Sequence, residues 1–270
     1  MLKLGRIPFL VCAPYFGGMS NSQWEFMDGG PSQQNLWLSE GKVAASPSSA
    51  IEYAKNFDKY EILPHFCTGA TDRVGSVLLF SELPISKLKN QEIYFSSASE
   101  TSVALWQIYA KEVLGFVSKQ AASQTEAKAS LLIGDEALQA AEKKWNYVYD
   151  LASLWYDWKK TPFVFGLWIV RKDVCTKHKA WVSSLKTELK RSFQKFKANM
   201  HEFLDAWEIE FPSGLPKHKR EAYFSCLEYE LGEPQIKALN EFFTLLHKHK
   251  YIEALPPRLN LLDRDLHGNG

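Results

Sequence analysis

Short apolar runs of strand length alternate with stretches of helical periodicity through roughly the first 170 residues, and then the strand-like runs stop. This alternation restricts the chain to the α/β class, because strand, helix and next strand build most simply as a crossover onto a largely parallel sheet. Strands are expected at 7–12, 74–80, 93–97, 131–133 and 163–170, with helices at 32–40, 49–57, 101–114, 135–144 and 151–158. Beyond Lys179, apolar residues recur three or four apart from Trp181 to Trp207, as in one long helix or a broken pair ended near Pro212. A further helix is expected over 234–248, burying Ile236, Leu239, Phe242, Phe243 and Leu246. The Pro-rich tail from Leu255 is expected to fray.

Apolar residues are 46% of the 270 and aromatic residues 14%, enough to bury a large core, so disorder is excluded. A net charge of +1 argues against a nucleic-acid binder. The Lys- and Arg-rich stretches 177–197 and 217–220 are interleaved with apolar residues and read as solvated helix faces. The four cysteines are scattered with no CxxC pair, which supports neither a metal knuckle nor a disulfide framework. No apolar stretch approaches the roughly 20 residues of a membrane helix. The start resembles a lipoprotein signal, but its apolar run is short, contains Pro8 and places Val11 before Cys12. A cytoplasmic protein is expected, with no nucleic-acid or membrane partner; the sequence leaves the oligomeric state open.

Motifs for metal, nucleotide and serine-hydrolase chemistry are missing: there is no HExxH, P-loop, GxGxxG or GxSxG. Hydroxyl-rich helix starts stand in their place. Ser46, Ser48 and Ser49 precede one helix, with Ser49 and Glu52 in capping-box spacing, and Ser97, Ser99, Thr101 and Ser102 open another. Helix starts carry unpaired N–H groups and the positive dipole end, so two of them facing each other would hold a dicarboxylate. Ordinary capping explains the same residues without a ligand, since Ser and Thr are the preferred caps in any case. Ser76 is a hydroxyl inside an otherwise apolar run, there either to bond backbone or to face a ligand. Arg6 would grip a carboxylate or lie on the surface.

At these residues the chain resembles the chorismate dehydratases of the futalosine route to menaquinone. The resemblance is carried by Gly5-Arg-Ile-Pro-Phe-Leu-x-Cys12, residues 48–53, Val74-x-Ser-Val-Leu-Leu-Phe-Ser81 and Ser97-x-Ser-x-Thr-Ser-Val103. Leu132-Ile-Gly-Asp-x-Ala-Leu138, Tyr149-Asp-Leu151, Trp155, Trp158 and Pro162-Phe-Val-Phe-Gly-Leu-Trp168 continue it, in family order. It implies a two-lobed α/β fold like the type 2 periplasmic binding proteins, with a ligand cleft between the lobes. Lobe one would take 1–88 and 175–270, and lobe two 89–174. The implied reaction removes water from chorismate to give 3-[(1-carboxyvinyl)oxy]benzoate without metal or cofactor, since aromatisation drives it. Ser76 would make the catalytic contact. Arg6, Ser48, Arg73, Ser97, Ser99, Thr101 and Ser102 would hold carboxylates, and Phe163 and Trp168, with Trp155, would wall the ring or simply be core.

Three positions depart from the family pattern. Val11 stands where the family usually has Asn, Asp72-Arg73 replaces Gly-Pro, and Lys159-Lys160 replaces Thr-Gly. Arg73 or Lys160 would compensate by gripping a carboxylate. Alternatively, with Val11 offering neither donor nor acceptor, the protein would bind chorismate or a related carboxylate without converting it.

Overall fold

The computed structural model describes residues 2–20, 23–97 and 99–262. Two five-stranded sheets form two lobes. The first sheet has the order β2-β1-β3-β10-β4, from β1 (Lys3–Arg6), β2 (Glu25–Asp28), β3 (Ala45–Ser49), β4 (Tyr60–Ala70) and β10 (Phe163–Arg171). The second has the order β7-β6-β8-β5-β9, from β5 (Val77–Ser81), β6 (Glu92–Phe95), β7 (Lys119–Gln120), β8 (Ala129–Ile133) and β9 (Tyr147–Asp150). Each sheet contains one strand that opposes its neighbours: β10 is antiparallel to β3 and β4, and β5 to β8 and β9. These are the strands on which the chain first enters the second lobe and first returns to the first. The expected largely parallel sheet is thus two mixed ones. Sheet membership changes at 71–76 and 160–162, so Val77–Ser81, expected in lobe one, is paired in the second sheet.

Helices α1 (Ala13–Phe16), α2 (Pro31–Ser39) and α3 (Ala50–Lys55) belong to the first lobe; α4 (Glu100–Tyr109), α5 (Gly134–Ala140) and α6 (Leu151–Lys159) belong to the second. After β10 come α7 (Lys172–Lys177), α8 (Lys179–Ala198), α9 (Met200–Glu210), α10 (Lys217–Phe224) and α11 (Glu233–Lys248). The long apolar periodicity is a broken pair: α8 stops at Asn199, whose side chain caps the Glu202 N–H of α9. α11 buries Leu239, Phe242, Phe243 and Leu246 as its spacing predicts, and packs on β10, α3 and α4. It therefore touches both lobes. The basic stretch of α8 is its outer face, whereas Arg220 turns inward onto the Leu215 carbonyl and Asp205.

Two expected strands are displaced. The apolar run 7–12 is not a strand: β1 ends at Arg6, Pro8 has no N–H to donate, and Leu10–Cys12 form a 3-10 turn leading into α1. The strand expected from Val74 begins at Val77, because Gly75 adopts φ +73° and the Val74 and Gly75 N–H groups bond Asp150. The tail expected to fray falls partly on 263–270, outside the described residues. Among the described residues no helix is long and apolar enough to cross a membrane.

Candidate active site

The two lobes close on a narrow cleft of about 100 Å³, smaller than a typical small-molecule site. Phe9, Val11, Ser48, Thr68 and Phe165 face it from the first lobe; Ser76, Ser99, Ser102, Ile133 and Gly134 face it from the crossing segment and the second. Contacts across its rim hold the lobes together. The Asp135 carboxylate accepts the Leu10 N–H at 3.0 Å, Ser32 Oγ donates to the Ser97 carbonyl at 2.7 Å, and Gln139 Nε2 donates to the Ser213 carbonyl at 2.7 Å. Phe9 lies so close over Gly134 that a Cβ there would meet its ring at 2.8 Å.

Ser48, Ser49, Thr68, Ser76, Ser99 and Ser102 give the wall its hydroxyls, and no Lys, Arg or His lies among the described lining residues. Ser49 Oγ accepts from Glu52 N (3.3 Å) and Asn35 Nδ2 (2.8 Å), leaving its own proton as its remaining donor. Ser46 and Ser48 bond each other at 2.8 Å, as do Ser99 and Ser102. Thr68 Oγ1 lies 3.1 Å from the Tyr15 hydroxyl. Ser76 Oγ lies 2.6 Å from the Tyr223 hydroxyl. An anion here would be held by neutral donors in an apolar surround, where each hydrogen bond is stronger than in water.

Three carboxylates behind the lining are perturbed. Burial pushes the Asp135 carboxyl up to about 7, opposed by the Leu10 N–H and reinforced by Glu208. Burial also raises Asp150, against the pull of N–H groups from Gly75, Val74, Ser153 and Ala152. Glu52 is raised by burial despite the Tyr60 hydroxyl that donates to it at 2.8 Å. Only the Ser49 half of the expected capping box forms, since the Glu52 carboxylate takes the Tyr60 and Asn56 donors.

Several expected site residues lie elsewhere. Arg6 is not in the cleft: it makes a two-point pair with Asp28 (2.6 and 2.9 Å), a further bond to Glu210 (3.0 Å), and sits between the rings of Phe26 and Phe211. Arg73 lines a groove on the far side of Tyr223. Lys160 is an exposed left-handed residue near Asp157, and Lys159 pairs with Glu241. Thr101 is fully buried, its Oγ1 accepting the Ile51 N–H at 3.1 Å, so it and Ser49 occupy two first-turn donors of α3. Ser97 is exposed at the rim beside the cleft. Phe163 packs between Trp155 and Phe242, and Trp168 between Tyr15 and Phe16; both are core. Phe165 walls the cleft instead, because a register irregularity between Val164 and Gly166 turns the strand there. Thr68, Phe165, Asp135 and Tyr223 were not singled out from sequence; Phe165 and Asp135 stand inside quoted motifs, while Tyr223 carries no local signal.

A family model for menaquinone biosynthesis proteins matches residues 2–248. The chain belongs to the menaquinone biosynthesis family. Within this family it is similar to a chorismate dehydratase of Thermus thermophilus, at 29% identity over 164 residues, 53% of this chain and 60% of that protein's length. The stretch shared with this curated relative thus spans less than two thirds of it. In fold the family member is similar to protein AF1704 from Archaeoglobus fulgidus, with a TM-score of 0.75 at 19% identity, covering 93% of this chain and 98% of that one. It is also similar to the periplasmic aliphatic sulphonate binding protein SsuA from Escherichia coli, with a TM-score of 0.65 at 11% identity, covering 96% and 90%. The fold is of the periplasmic-binding-protein type expected from the sequence.

Proposed function

We propose that this menaquinone biosynthesis family protein is a hydro-lyase that converts chorismate to 3-[(1-carboxyvinyl)oxy]benzoate. The observation that carries the reading is the cleft: closed between the lobes, walled by Phe9 and Phe165, and supplied with hydroxyls rather than cations. Chorismate is a cyclohexadiene ring bearing a carboxylate, a hydroxyl and an enolpyruvyl ether that carries the second carboxylate, and its dehydration removes that hydroxyl and a ring hydrogen to leave an aromatic ring. What the protein must do is hold the ring, exclude water and stabilise the departing oxygen.

On this reading Ser48 and Ser49 from one lobe and Ser99 and Ser102 from the other hold the carboxylates, and Ser76 faces the departing oxygen. Thr101 and Arg6 serve the scaffold. A cytoplasmic location belongs to the proposal, and the four free cysteines suit a reducing compartment. The test is incubation of the purified protein with chorismate and mass spectrometry of the products. Formation of the aromatic ether supports the reading; bound but unconverted chorismate at high enzyme concentration removes it.

A second reading is favoured by Val11, an aliphatic side chain on the cleft wall. A protein that binds chorismate or a related carboxylate without converting it would be stabilised thermally by the ligand and release it unchanged.

A further inference from the structure

Ser76 stands where the chain passes into the second lobe, and different elements fix its surroundings. Its carbonyl accepts the Gly134 N–H at 2.8 Å. Asp150 takes the N–H groups of the two preceding residues, Val74 at 3.1 Å and Gly75 at 2.7 Å. Gly75 is held at φ +73°, and the Tyr223 ring lies 3.6 Å from where its Cβ would be. Tyr223 belongs to α10, in the C-terminal part of the chain, and its ring is part of the first lobe's core. Its hydroxyl has Ser76 Oγ as its sole hydrogen-bond partner among the described residues, at 2.6 Å.

Two hydroxyls share one bond here, so one donates and the other keeps its proton for a different acceptor. A phenol is a much stronger acid than an aliphatic alcohol, which makes Tyr223 the natural donor. Ser76 then accepts from behind, and its own proton is turned toward the cleft that Ser76 lines.

We propose that Tyr223 is a positioning residue: by donating to Ser76 Oγ from the far side, it directs the Ser76 hydroxyl proton at the oxygen that leaves the substrate. This rests on the dehydratase reading. In the step, the ring C–O bond breaks with its electron pair on oxygen, and a ring C–H bond gives its pair to the new ring double bond. The departing hydroxide and the lost proton together make the released water. Ser76 and Tyr223 lend hydrogen bonds and end as they began. The bond joins the crossing segment to the first lobe's helical part, so the proton is aimed only while both are seated around the cleft.

The test is a double-mutant cycle of Tyr223→Phe and Ser76→Ala, with kcat and KM measured for chorismate and melting temperature as the check on folding. Phe fills the same space and removes one hydroxyl. Removing a donor that touches the oxyanion costs about a hundred- to a thousandfold in kcat, and a group acting through that donor should cost about ten- to a hundredfold. Tyr223→Phe is expected to lower kcat by that factor with KM within about twofold, and to lower it no further when Ser76 is already Ala. An equal loss in both backgrounds, as a merely structural role would give, overturns the proposal, as does a Tyr223→Phe kcat within about twofold of wild type. Wild type that binds chorismate without turnover overturns the dehydratase reading and this inference with it. Normal wild-type turnover with an unmoved Tyr223→Phe overturns the inference alone.

Discussion

Asp135→Asn would show how the clasp between the lobes responds to pH. The Asp135 carboxylate accepts the Leu10 N–H across the cleft, and burial holds its carboxyl at about 7 against an ordinary 3.8. Between those values the folded protein keeps a proton that the unfolded chain has released. Stability therefore falls as pH rises from about 4 to about 7, and the full cost is present above 7. The difference corresponds to a ceiling on the order of 4 kcal/mol. One side of the group reaches solvent, which brings the expected cost to about 1–2 kcal/mol. Asn retains a carbonyl to accept the Leu10 N–H and has nothing to titrate. The assay is melting temperature from pH 5 to pH 8.5 for both proteins. The variant should match or trail wild type at pH 5 and lead it above pH 7 by about 2–8 °C, taking 2–4 °C per kcal/mol. Two curves separated by a constant offset would refute the assignment of that titration to Asp135.

Arg6→Ala should cost stability and leave ligand affinity unchanged, because its pairs with Asp28 and Glu210 and its seat between two rings all lie away from the cleft; urea unfolding should show a loss of about 2–3 kcal/mol. Phe165→Ala should raise the dissociation constant of a bound aromatic carboxylate about tenfold, whereas Trp168→Phe should lower the melting temperature and leave that constant within about twofold; titration calorimetry separates the two. Val11→Asn places a donor and an acceptor on the cleft wall, and should raise kcat for chorismate if position 11 limits catalysis, by about ten- to a hundredfold for one well-placed hydrogen bond.

Where the periodicity was long, the sequence foretold the fold well: α8, α9 and α11 follow their apolar spacing, and β6, β8 and β10 lie within a few residues of their expected runs. β3 was illegible for a physical reason. It is Ala-Ser-Pro-Ser-Ser, poor in β-branched residues and with a proline at its centre, yet it lies between β1 and β10 with all five residues buried. Its pairing to Gly166–Val170 of β10 decides its conformation, not local preference. β4 was hidden similarly, by Pro64 and by a register shift opposite Leu167–Ile169 on an edge strand.

The cleft was legible as a set of hydroxyls but not as a map of their duties. Thr101 and Ser102 are neighbours in sequence; one hydroxyl is used up on Ile51 N, fifty residues away, while the other reaches the cleft wall. Arg6 offered no local sign that Asp28 and Glu210 would claim it. The partner of Ser76 is 147 residues away, on a helix whose sequence reads as a surface one. Such pairings are fixed by packing of the first lobe's C-terminal helices against the crossing segment, which composition and spacing do not encode. His249 is a similar case: a nearly buried ring at the end of α11, bonded to Glu112 of the second lobe.

Dehydration in this cleft is tested most directly by following chorismate with the purified wild-type protein by mass spectrometry and, in parallel, by thermal shift. The expected result is ligand-induced stabilisation together with appearance of 3-[(1-carboxyvinyl)oxy]benzoate at a rate proportional to enzyme. Stabilisation with chorismate recovered unchanged would contradict the dehydratase assignment and leave a binding protein on the same fold.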